Sequence, residues 1–106
     1  DNRITLLFSA VADKDYEIMI RTVCEQIRPH AVVATQIWGN RIVPAEQLAQ
    51  LFKDNGCECV VAETQVGDAF DTAYQWKGDG MLFCVGSLYL VGEIKAHLAG
   101  KKGDKE

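Results

Sequence analysis

The sequence has 106 residues, enough for one compact domain whose single hydrophobic core buries roughly 60 to 70% of the unfolded surface. With 11 basic against 15 acidic residues the net charge is −4. The basic residues are scattered except for Lys101, Lys102 and Lys105, which argues against nucleic acid and anionic membrane as partners.

Residues 3–8, Arg-Ile-Thr-Leu-Leu-Phe, form a near-continuous apolar run that suits a strand covered on both faces. Asp13 or Asp15 then stands where a helix is capped, and Tyr16, Ile20, Val23 and Ile27 recur at helical spacing as its inner stripe until Pro29 ends it. Residues 31–35 predict a second strand. Pro44 at a first helical position, then Leu48, Leu51 and Phe52, then the stop signal Asn55-Gly56, predict a second helix.

Residues 57–62 predict a third strand, with Cys57 and Cys59 on one face. Val66, Ala69, Phe70, Ala73 and Tyr74 repeat at amphipathic spacing and predict a third helix closed near Gly78. A fourth strand is expected over 81–85, followed by a last helix capped by Ser87 and carrying Leu88, Val91, Ile94 and Leu98 inward. Strands alternating with helices of this length imply right-handed crossovers. The expected fold is α/β: a three-layer, Rossmann-like domain with a mostly parallel sheet and helices on both faces. Residues 1–99 form the domain, and 100–106, without an apolar side chain to bury beyond Gly100, a disordered tail.

The longest apolar stretch, residues 81–91, is interrupted by Gly86 and Ser87 and falls short of the ~20 residues that span a bilayer. Residues 1–4 lack the basic-then-apolar pattern of a secretory signal, so the expected compartment is the cytoplasm. Cys24, Cys57, Cys59 and Cys84 are expected as buried structural thiols. His30 and His97 are not placed to complete a zinc site with them, and no metal is expected. Trp38 and Trp76 are expected to cover core or loop edges.

In an open parallel sheet, ligands lie outside the carboxyl ends of the strands. That rule selects residues 12–15, 36–43, 63–64 and 86–87. Gly86 permits close backbone approach, and Ser87 sets a hydroxyl beside unpaired amides at the positive end of a helix dipole, which suits a carboxylate or phosphate; from residue type and position alone, a plain helix cap is the simpler account of Ser87. Lys14, between Asp13 and Asp15, offers an ammonium to an anionic substrate, or is simply a neutralised surface lysine. The second glycine of a hydrolase elbow is missing, since Gly92 lies five positions beyond Ser87. Neither a Gly-x-x-x-x-Gly-Lys-Ser/Thr phosphate loop nor a Gly-x-Gly-x-x-Gly motif is present.

Gly86-Ser87-Leu88-Tyr89-Leu90-Val91-Gly92-Glu93 resembles the terminal signature of the folylpolyglutamate synthases and dihydrofolate synthases, of the Mur ligase group. Asp13-Lys14-Asp15, after a strand and before a helix, resembles the other marker of the same carboxy-terminal domain. The resemblance implies a domain that presents glutamate to a folate or dihydropteroate carboxylate activated by ATP. Lys14 and Ser87 would face the glutamate carboxylates, with Tyr89 and Arg41 as further candidates for that site. ATP and magnesium would be bound mainly by a central ATPase domain, the natural partner of this one, and no cofactor or catalytic residue is expected within these 106 residues.

The family's Asp-Gly-Ala-His-Asn strand and the helix after it have no counterpart in this sequence. A fragment inactive by itself, and prone to self-association where the first unit would lie, is therefore expected. The rival reading is a non-catalytic nucleotide- or anion-binding α/β module, because a fold does not fix a function.

Overall fold

The computed structural model describes residues 3–10, 15–36 and 43–85. Seven elements alternate along them: β1 (Ile4–Phe8), α1 (Tyr16–Gln26), β2 (Ala31–Thr35), α2 (Ala45–Asp54), β3 (Val60–Glu63), α3 (Val66–Lys77) and β4 (Met81–Val85). The four strands form one sheet in the order β3-β2-β1-β4, and all three pairings are parallel. The helix expected after Ser87 and the tail 100–106 lie outside the described residues.

Alternation along the strands builds two cores. Leu6, Phe8, Val32, Ala34 and Val60 face α1 and α2, where Ile20, Leu48, Ala49 and Phe52 close over them. Leu7 and Val33 face the other way, against Ala69 and Ala73 of α3. Burial on both faces is why β1 and β2 read as unbroken apolar runs. The two cores make this a three-layer sandwich. Phe8 and Phe52 meet edge to face across the larger core, ring centroids 5.2 Å apart.

Several boundaries differ from the sequence reading for local reasons. The third strand begins at Val60 rather than at residue 57, because Cys57 belongs to the stop of α2. There Gly56 takes φ +96, its N–H reaches Lys53 O at 3.0 Å, and the Cys57 N–H reaches Phe52 O at 3.0 Å, the paired bonds of a Schellman motif. Pro44 precedes α2 at its N-cap instead of standing within its first turn.

Tyr74 is not part of the inner stripe of α3 but is 57% exposed, while Trp76 packs against the core. With the buried Ala69 and Ala73 centring that face, roughly 100° per residue puts Trp76 about 40° from the centre and Tyr74 about 120° from it. Lys77 Nζ lies over the outer Tyr74 ring, 4.7 Å from its centroid. The cysteines also depart from expectation: Cys24 and Cys57 are only half-buried, and Cys59 and Cys84 are exposed.

Candidate functional site

The strand order decides where a ligand crevice can form. From β1 the chain steps outward to β2 and β3 through helices on one face, then crosses back over the other face to place β4 on the far side of β1. The direction of winding reverses between β1 and β4, and ligands of open parallel sheets bind at the carboxyl side of such a reversal. Here Phe8 is aligned with Val85, and the Ser9 N–H donates to Val85 O at 3.1 Å.

These two strand ends lead into the two segments that the sequence selects most strongly. The chain leaves β1 toward Lys14 and leaves β4 toward Ser87 and Tyr89. Lys14, Arg41, Ser87 and Tyr89 all lie outside the described residues. The described residues give the adjacent strand ends that precede these segments in the chain, and Arg41 belongs in sequence to the connection that follows β2, the strand on the other side of β1.

The described residues at this end form a polar row that the sequence reading did not single out. Continuing the β1/β2 register one step past Phe8 and Ala34 sets Ser9 beside Thr35, and Thr35 is aligned with Glu63 of β3. Alternation puts this row on the α3 face, with Leu7, Val33 and Val61 one layer below. Ser9 and Thr35 are 1% and 0% exposed, and neither hydroxyl has a hydrogen-bond partner among the described residues. Most buried polar side chains are bonded, so two hydroxyls without a partner among the described residues set the carboxyl ends of the central strands apart from the apolar layer below. The signal for them was available, since a hydroxyl residue ends each of the first two apolar runs.

Helix ends gather around the row. Asp15 occupies the N-cap position of α1, but its side chain makes no capping hydrogen bond; its backbone oxygen accepts from Met19 N–H at 3.0 Å. Gln36, directly after Thr35, turns its side chain to α2, where Oε1 accepts from Ala45 N–H at 2.8 Å. At α3, Gln65 gives no side-chain cap, and Asp68 in the first turn meets the positive end of the dipole.

The same fold is found in solved proteins. Folylpolyglutamate synthase of Mycobacterium tuberculosis complexed with ADP and AMPPCP matches this chain with a TM-score of 0.76 at 21% identity, covering 91% of this chain and 24% of that one. The same enzyme complexed with ADP matches with a TM-score of 0.73 at 18% identity, covering 91% and 23%. The fold is that of a folylpolyglutamate synthase segment. The resemblance carried by residues 13–15 and 86–93 is thus met independently by the architecture, and the chain spans about a quarter of the length of the structures it matches. No family model and no curated protein matches the sequence. Among the described residues, no helix is long and apolar enough to cross a membrane, and no cluster of three metal-ligating side chains occurs.

Proposed function

We propose that this chain is the carboxy-terminal, glutamate-presenting domain of an ATP-dependent ligase that adds glutamate to folate, to dihydropteroate, or to both. The observation that carries the reading is a convergence. A folylpolyglutamate synthase fold covers 91% of the chain, and its winding reversal falls between the two strands that lead into Asp13-Lys14-Asp15 and Gly86-Ser87. A dicarboxylate amino acid needs cationic and hydroxyl donors, and its amine must lie close to the activated acyl group. Lys14 and Ser87 supply the donors in this reading, with Tyr89 and Arg41 beside them. ATP and magnesium belong to a central domain in the complete enzyme, and the setting is cytoplasmic.

The test uses the complete enzyme. Lys14→Ala or Ser87→Ala removes charge-assisted or dipole-supported hydrogen bonds of ~1.5 to 3 kcal/mol, which lowers apparent glutamate affinity roughly 10- to 150-fold. ATP binding and acyl phosphate formation are spared, since they depend on the central domain. Ser87→Ala also deletes a candidate helix cap, so melting temperature is recorded beside the kinetics. Normal glutamate dependence in both variants removes these residues from the site. A complete protein that adds glutamate to neither acceptor leaves the anion-binding module as the better reading.

We also infer that the chain by itself self-associates, with a second copy meeting the β4 edge. β4 is the last strand of the described sheet, and Met81 and Phe83 on it are 49% and 36% exposed, on the face shared with Leu6 and Phe8. Sedimentation over a concentration series should show a dimer that Phe83→Lys weakens; a monomer at every concentration refutes the inference.

A further inference from the structure

At the opposite end of the sheet, where helices finish and strands begin, the last turns of α1 and α2 enclose a cleft of about 290 Å3. Cys24 and Arg28 line it from α1 and the turn after it, and Asn55, Gly56 and Cys57 from the stop of α2. Both cysteines are free and half-buried where they line the cleft. Cys57 is fixed by its N–H bond to Phe52 O, and Cys24 by the last turn of α1. Arg28 keeps φ +52, a left-handed conformation rare outside glycine, with its N–H on Val23 O at 3.2 Å. That turn makes Arg28, whose side chain is permanently charged, part of the cleft lining.

We propose that this cleft is a dithiol modification site, in which Cys24 and Cys57 are joined by a disulfide when the chain meets a small anionic disulfide such as oxidised glutathione. In the first step one cysteine thiolate attacks a sulfur of oxidised glutathione; a protein–glutathione bond forms, the glutathione disulfide breaks, and one glutathione thiolate leaves. The second cysteine, having lost its proton to solvent, then attacks the protein sulfur of that mixed disulfide. The Cys24–Cys57 bond forms and a second glutathione leaves. Two protein thiols are oxidised, one glutathione disulfide is reduced, and the two protons end on the released thiols. The bond would tie the ends of α1 and α2 together, on the far side of the domain from β1 and β4 carboxyl ends.

Burial pushes both thiols above their ordinary range, and negative charge on Cys24 would raise Cys57 further. The attacking species is the thiolate, so the exchange should be slow at neutral pH and quicken about tenfold per unit as pH rises toward 9.

The test takes the chain with the exposed Cys59 and Cys84 replaced by serine and exposes it to oxidised glutathione. The expected product has lost both free thiols, is lighter by two hydrogens, carries no glutathione, gives a Cys24–Cys57 linked peptide, and melts several degrees higher until a reductant is added. With Cys24→Ser added, the product should instead keep one glutathione on Cys57. Two stable glutathione adducts, or two thiols that stay free at pH 9 in a folded chain, overturn the proposal.

Discussion

Gln36 and Ala45, nine positions apart, join the end of the sheet to the start of a helix: the buried Gln36 Oε1 accepts the Ala45 N–H at 2.8 Å. The residue at the N-cap of α2 is Pro44, which has no side-chain acceptor for the first amides, and Gln36 at the end of β2 supplies one. Gln36→Ala should therefore lower stability by about 1 to 2 kcal/mol, read as a lower midpoint in urea with an unchanged slope. An unshifted midpoint would mean that another acceptor serves Ala45 equally well.

Ser9 and Thr35 make the opposite prediction. Neither buried hydroxyl has a hydrogen-bond partner among the described residues, and replacing it by an apolar group of similar shape removes a desolvated polar atom at little steric cost. Thr35→Val should raise stability by roughly 1 kcal/mol, and Ser9→Ala should do so to a smaller extent because it also vacates volume. Thermal unfolding of both variants decides the matter. A loss of stability in Thr35→Val would show that the hydroxyl is satisfied in solution.

Gly80 is required by the approach of β4 to β1. A Cβ built there would sit 2.5 Å from Arg3 O and 3.0 Å from Lys77 O, both backbone atoms, at the step where Met81 N–H bonds to Arg3 O. Gly80→Ala should cost about 1 to 3 kcal/mol through forced backbone shifts, and amide exchange should quicken in β4 before it does in β2. Wild-type stability in this variant would mean that the β1–β4 start relaxes freely.

The Phe8–Phe52 contact links the central strand to α2. Phe52→Ala should cost about 3 to 5 kcal/mol, and a double-mutant cycle with Phe8→Leu should return a coupling of roughly 0.5 to 1.5 kcal/mol beyond lost area. Additive effects would assign the contact to burial alone.

By itself, the sequence determined what depends on neighbours along the chain. Residues 31–35 were readable as a strand because apolar side chains on both faces leave no other low-cost arrangement, and they form β2 without a residue's difference. The Asn55-Gly56 stop was readable because the left-handed turn needs glycine, and Gly56 takes it. The side chains of residues 13–15 and 86–93 resemble the markers of a ligase family, and the fold agrees with that resemblance.

Only the tertiary structure decided what depends on elements far apart in the chain. The order β3-β2-β1-β4 comes from the crossover of α3 to the second face, and no local pattern encodes which side of β1 receives β4. That choice sets the ends of β1 and β4 side by side. The exposure of Tyr74, Cys59 and Cys84 likewise followed from which helix face and which sheet edge found a partner. The alignment of Ser9 with Thr35 that the β1–β2 register implies, and the bond of Gln36 with the first amide of α2, arise only when strands and helices pack, because each joins groups whose meeting is fixed by register and layer and not by spacing in the sequence.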